Sequence, residues 1–237
     1  MLRVGKVSFS NTEPLFYRLK GFKVVEGLPS ELAGLLRAGR LDAGIVSSVE
    51  YFFNPELYFI LPGVSISSVG RVCSVKLFAK KPFEELKEVK VTRASLTSRY
   101  LLKFVAEKAF NRELKETDTD EALLLIGDEA MRPLPYPYAY DLGELWYELT
   151  GLPFVFALFL VRREVPVEEA ERLLSAVRGS LEEFFKQKRS FYFNECIDYA
   201  LNEEHLKGLE LFFNYLSDKT GRRAPSPLFL NAPSRRG

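Results

Sequence analysis

Residues 4–46 read VGKVSFSNTEPLFYRLKGFKVVEGLPSELAGLLRAGRLDAGIV. Three apolar runs of strand length, over 4–10, 23–26 and 43–46, are separated by helical patterns over 14–20 and 29–38. Strands alternating with helices in this way are the βαβαβ grammar of a parallel sheet. In the second helix Leu32, Leu35 and Leu36 fall on one face, Ser30 is a candidate cap, and Gly39 ends the pattern. The first crossover carries a further signal, because the strand runs directly into Asn11-Thr12-Glu13-Pro14, a helix start. An amide, a hydroxyl and free backbone N–H groups at a helix N-terminus stabilise an anionic ligand.

Outward from this unit, a long β pattern covers 72–79 and is broken by Lys81-Pro82-Phe83. A second alternation follows: helix 83–87, strand 90–92, helix 98–110 and strand 122–126. Leu134-Pro135-Tyr136-Pro137-Tyr138 suits neither a helix nor a central strand and reads as a connection. A helix over 142–149 then leads through Gly151 and Pro153 into a strand over 154–162. Helices over 166–188, 195–200 and 203–219 complete the chain, and the Pro-, Arg- and Ser-rich stretch 221–237 reads as a loose tail. The pattern predicts an α/β protein of two lobes, the first made of 1–78 and 160–237 and the second, 79–159, inserted into it. Open parallel sheets bind ligands beyond the carboxyl ends of their strands, so two facing lobes create a ligand cleft there.

With 237 residues, 47% of them apolar, the chain can bury a full core. Its 33 basic and 32 acidic residues leave a net charge of +1, too little field to hold nucleic acid or an anionic membrane surface. The apolar run over 152–161 is strand-length, and the opening Met-Leu-Arg-Val-Gly-Lys lacks an apolar signal region, so a cytoplasmic protein with no membrane segment is expected. A single glutamine, Gln187, beside abundant Glu, Lys and Arg hints at a thermophile. Cys73 and Cys196 are far apart and read as two buried free thiols rather than a disulfide. The only histidine, His205, lies in the polar first turns of the last helix, which removes histidine triads and zinc sites from consideration.

Five segments end in small or hydroxyl residues where a strand is expected to give way to a helix. They are Ser8-Phe9-Ser10-Asn11-Thr12, Val46-Ser47-Ser48, Gly70-Arg71-Val72-Cys73-Ser74, Ser95-Leu96-Thr97-Ser98 and Ile126-Gly127-Asp128. Each alone is an ordinary helix cap; five in one cleft offer neutral donors suited to a small carboxylate. Asp128 reads first as a cap for Ala130 and Met131, with a base or a cation's partner as its other possible roles. Arg71, Arg93 and Arg99 are candidate counter-ions for which surface solvation is the ordinary alternative. No dinucleotide fingerprint, phosphate loop, zinc motif or nucleophile elbow occurs, so no metal or other cofactor is expected.

The runs SFSNTEP (8–14), LPSELAGLLRAGRLDAGIVSSVEY (28–51), the SVKLF strand at 74–78, LTS at 96–98, LLIGD at 124–128 and DLGELWYELTGLPFVFA at 141–157 together resemble the chorismate dehydratase family of the futalosine route to menaquinone. The similarity covers nearly the whole chain up to Lys219. It implies a periplasmic-binding-protein type II fold used as an enzyme, which removes water from chorismate to give 3-[(1-carboxyvinyl)oxy]benzoate. Onto this chain it carries Asn11 and Ser74 as catalytic positions and Thr97 and Ser98, together with Ser47, Ser48 and Asp128, as substrate-binding ones; Ser10 and Thr12 join them as neighbours in the opening turn. Glu13, Arg71 and Arg99 depart from the family pattern.

The alternatives are a related enzyme of the same route, 1,4-dihydroxy-6-naphthoate synthase, and a non-catalytic binding protein. The former typically opens with SPCPND, where this chain has SFSNT. The missing signal region argues against a transport receptor, and no segment is left over for a DNA-binding helix pair. Nothing in the pattern specifies an oligomeric state.

Overall fold

The computed structural model describes residues 1–91 and 95–230. Its first unit is β1 (Arg3–Val7), α1 (Glu13–Phe16), β2 (Lys23–Gly27), α2 (Pro29–Arg37), β3 (Ala43–Ser47), α3 (Ser48–Phe53) and the long strand β4 (Tyr58–Ser68). The chain then forms β5 (Val75–Ala79), β6 (Glu88–Val91), α4 (Leu96–Phe110), β7 (Lys115–Glu116), β8 (Ala122–Ile126), β9 (Tyr138–Asp141) and α5 (Leu142–Thr150). It ends with β10 (Phe154–Arg162), α6 (Val167–Gln187) and α7 (Glu203–Thr220).

Two five-stranded sheets result, in the orders β2-β1-β3-β10-β4 and β7-β6-β8-β5-β9. The expected parallel core is present in each: β1 pairs parallel with β2 and β3, and β6 with β7 and β8. Both sheets are completed antiparallel, by β10 against β3 and β4, and by β5 against β8 and β9. A central strand is covered on both faces and therefore reads as an unbroken apolar run. FVFALFLV in β10 is such a run, with only Ala157 and Arg162 less than fully buried.

The pairing draws the lobes slightly differently from the expected boundaries. The strand β5 pairs only within the second sheet and β10 only within the first, so divisions at 78/79 and 159/160 cut elements that hydrogen bonding keeps whole. An aromatic cluster joins the lobes: Trp146 of α5 lies 4.7 Å from Phe104 of α4, 4.9 Å from Phe154 of β10 and 6.1 Å from Phe212 of α7.

Several local expectations are corrected. The first strand stops at Val7, and residues 10–12 form a tight 3-10 turn before a four-residue α1. Ser30 is not the cap of α2: the helix begins at Pro29, and Glu31 Oε2 accepts the Leu28 N–H at 3.1 Å. The run 70–74 leads into a strand rather than a helix. The helix expected over 195–200 is instead a wide turn over Tyr192–Cys196, after which Asp198 and Ser67 exchange backbone hydrogen bonds of 2.8 Å. Tertiary pairing with β4 has overridden local propensity there. Cys73 and Cys196 are not free thiols; the fold brings their Cα atoms to 5.8 Å and they form a disulfide. His205 is buried, not on a polar face, with Nδ1 2.8 Å from Asn202 Oδ1 and Nε2 3.2 Å from Asp198 Oδ2. The tail is tied down as far as Leu230, whose N–H donates to Ile60 O at 2.9 Å; the rest of it lies outside the described residues.

Candidate active site between the lobes

The opening turn is built by Thr12. Its buried hydroxyl donates to Val7 O at 2.7 Å and lies 3.0 Å from Phe9 O, closing the loop between β1 and α1 on itself. This leaves Asn11 at the apex. Its carbonyl accepts the Tyr199 hydroxyl at 2.7 Å, while its side-chain Oδ1 is buried with no partner among the described residues. Leaving a buried acceptor unpaired costs about 1–3 kcal/mol. Thr117 Oγ1, Trp146 Nε1, Ser180 Oγ and His205 Nε2 likewise lack a hydrogen-bond partner among the described residues, but of the five residues only Asn11 lines the cavity between the lobes.

That cavity has a volume of about 60 Å³. Its apolar wall comes from both lobes and includes Phe9, Ile45, Ile66, Ile126 and Phe156. The polar groups on it are Asn11, Thr12, Ser47, Ser74, Ser95 and Ser98, and no lysine, arginine, aspartate or glutamate is among the described lining residues.

Ser74 opens the second lobe. Its carbonyl accepts the Gly127 N–H at 2.8 Å, and its Oγ accepts the Tyr192 hydroxyl at 2.9 Å. The turn before it is pinned by Asp141, whose carboxylate accepts the N–H groups of Val72 (3.0 Å), Cys73 (2.7 Å), Gly143 (3.0 Å) and Glu144 (3.2 Å). One side chain thus caps α5 and positions the residue next to Ser74. Burial pushes the Asp141 carboxyl above the usual range, against the pull of its backbone donors. At α4, Ser95 Oγ accepts the Ser98 N–H at 3.3 Å and lies 3.3 Å from Ser98 Oγ.

The remaining predicted residues meet one another across the cleft. Ser10 Oγ donates to Asp128, and Ser47 Oγ is hydrogen-bonded to Thr97 Oγ1. Ser48 Oγ and the Val49 N–H each lie 3.3 Å from the same Thr97 oxygen. Asp128 is therefore no helix cap: it sits inside the turn Gly127–Met131 and reaches to the other lobe. Gly127 has φ +66°, and its Cα hydrogens face the Phe9 ring so closely that a Cβ would sit 2.7 Å from Cδ1.

Two of the candidate counter-ions, Arg71 and Arg99, are paired with carboxylates outside the cavity lining. Arg71 pairs with Glu144 at 3.6 Å and Arg99 with Glu116 at 2.6 Å; Arg93 lies outside the described residues. Glu13 pairs with Lys188. The three departures from the family pattern are thus occupied with partners outside the cavity lining. Tyr192 and Tyr199 are the residues that sequence reasoning missed, since both fall at or beside a stretch read as a helix. Burial pushes both phenols above their ordinary range.

Comparisons with known proteins give the family and the fold. The family described as menaquinone biosynthesis matches residues 2–191. A chorismate dehydratase of Thermus thermophilus is 34% identical over 208 residues, 76% of each chain. Among solved structures, a protein of Archaeoglobus fulgidus superposes with a TM-score of 0.64 at 17% identity, covering 92% of this chain and 97% of its own. The alkanesulfonate-binding protein of Xanthomonas axonopodis does so with a TM-score of 0.53 at 15% identity, covering 97% and 96%. At such identities the likeness is one of fold alone. The chain belongs to the menaquinone-biosynthesis family of chorismate dehydratases, built on the two-lobed type II fold of periplasmic binding proteins.

Proposed function

We propose that this chain is a hydro-lyase that converts chorismate to 3-[(1-carboxyvinyl)oxy]benzoate in the cavity between its lobes. The observation that carries the reading is the orphaned Oδ1 of Asn11 on the cavity wall. Chorismate as its dianion has a single hydrogen-bond donor, the ring hydroxyl that leaves. An unpaired buried acceptor fits that hydroxyl and orients it for departure, so that its cost in the empty protein is recovered when substrate binds.

The chemistry suits neutral donors. The ring carbon that bears the enolpyruvyl ether loses its proton, and the electron pair spreads through the diene into the ring carboxylate. The adjacent C–O bond then breaks, the hydroxide leaves with one proton as water, and the ring becomes aromatic. Negative charge grows on the ring carboxylate, where the hydroxyls of Ser74 and Ser98 and the N-terminal amides of α4 stabilise it. The base is the substrate's own enolpyruvyl carboxylate, since His205 is absent from the cavity lining. A volume of about 60 Å³ is far below the ~300–1,000 Å³ of ordinary ligand clefts. Substrate entry therefore parts the lobes and breaks the Ser10–Asp128 and Ser47–Thr97 contacts, freeing the hydroxyls of Ser10, Ser47 and Thr97 to donate to the second carboxylate.

The same reading puts the enzyme in the cytoplasm of a thermophile, where a disulfide such as Cys73–Cys196 can persist. The test is to incubate the purified protein with chorismate and follow its ultraviolet spectrum. Loss of the diene with appearance of a substituted benzoate is expected. Binding without turnover would replace the reading with a receptor, and diene loss without an aromatic product would end it.

A further inference from the structure

The segment between α6 and α7 is fastened at four points, two of them on site residues. Tyr192 donates to Ser74 Oγ at 2.9 Å, and Tyr199 donates to the Asn11 carbonyl at 2.7 Å. Between them, Cys196 is bonded to Cys73, the neighbour of Ser74, and Asp198 pairs with Ser67 of β4. One short stretch therefore holds a site residue of each lobe, Asn11 in the first and Ser74 at the start of the second. Neither tyrosine lines the cavity, and both lie beyond residues 2–191, the part matched by the family model.

Hydrogen-bond bookkeeping at Ser74 gives this contact a direction. A serine hydroxyl has one proton and two lone pairs. One lone pair accepts the Tyr192 proton, and the protein acceptor for the serine's own proton, Val72 O, is 3.4 Å away, at the long limit of a hydrogen bond. The serine proton is thus left for an anion in the cavity, and a donor that is itself accepting a hydrogen bond is the stronger for it. Burial keeps the Tyr192 phenol protonated and in the donating state.

We infer that Tyr192 is a positioning residue: it orients and strengthens the Ser74 hydroxyl toward substrate, while Tyr199 holds Asn11 in the same frame. The inference rests on the proposed dehydratase reading. Its benefit grows with the charge on the substrate, so it belongs to turnover more than to binding.

The test compares Tyr192→Phe in two backgrounds, wild type and Ser74→Ala, with chorismate as substrate. The ring and its packing against Phe193 at 5.3 Å are retained. Loss of a direct oxyanion donor costs about 10²–10³ in kcat, so loss of an indirect one is expected to lower kcat by roughly 10-fold with KM changed by less than about 2-fold. In the Ser74→Ala background the same substitution is expected to change residual turnover by less than about 2-fold, because its target is gone. An equal loss in both backgrounds identifies a merely structural role, or partial misfolding, and overturns the inference; so does an unchanged kcat in the wild-type background. If the wild-type protein does not convert chorismate, the dehydratase reading falls and takes this inference with it. A wild type that turns over normally beside an unaffected Tyr192→Phe removes the inference alone.

Discussion

Asn11 owes its exposure to the cavity to its neighbour. Because Thr12 spends its hydroxyl proton on Val7 O, the turn closes without help from Asn11, whose amide oxygen is left for a ligand. The sequence made the opening turn legible as a polar helix start, but not this division of labour. A hydroxyl that closes its own turn and one that faces a ligand look the same in one dimension. The same holds for Ser10, Ser47, Thr97 and Asp128, which capping chemistry suggested and which in fact pair across the cleft. Gly127 is the residue that allows this closeness. Gly127→Ala would put a side chain at φ +66° and a Cβ 2.7 Å from the Phe9 ring. We predict a loss of about 1–3 kcal/mol, seen as a fall in melting temperature of roughly 2–10 °C, together with weaker turnover because the lobes cannot close. An unaltered melting temperature would show that Phe9 moves freely.

Elements were legible where apolar pattern and burial coincide. The strands over 122–126 and 154–162 run as their apolar residues predict, because both are central and covered by neighbours. The wide turn at Tyr192–Cys196 was not, since a disulfide partner 123 residues away and pairing with β4 decide its course. Nor was the first half of the tail, which follows β4 through backbone bonds at Ile60. The motif DLGELWYELTG shows how one element serves both lobes: Asp141 caps α5 and pins the turn before Ser74, and Trp146 fills the aromatic cluster shared by α4, β10 and α7. Trp146 is fully buried. We predict that Trp146→Ala destabilises the protein by about 3–5 kcal/mol, read by chemical denaturation. A loss below about 1 kcal/mol would mean that the lobes do not depend on this cluster.

For the whole molecule, the described lining of the cavity is neutral inside a chain of net charge +1, and on the proposed reading it holds its substrate through hydroxyl and amide donors. Ser10 and Ser47 of the first lobe are hydrogen-bonded to Asp128 and Thr97 of the second, so these polar groups are paired across the cleft. Among the described residues that line the cavity, Asn11 carries the buried acceptor left without a partner, and the account rests on it. The decisive measurement is the steady-state kinetics of Asn11→Ala with chorismate, beside the thermal melting of the same variant. The substitution leaves the Tyr199 bond to the residue 11 carbonyl in place, so the melting temperature should stay close to that of the wild type. A fall of about 10²-fold or more in kcat/KM is predicted. A stable Asn11→Ala protein that turns chorismate over at the wild-type rate would contradict the assignment of the site.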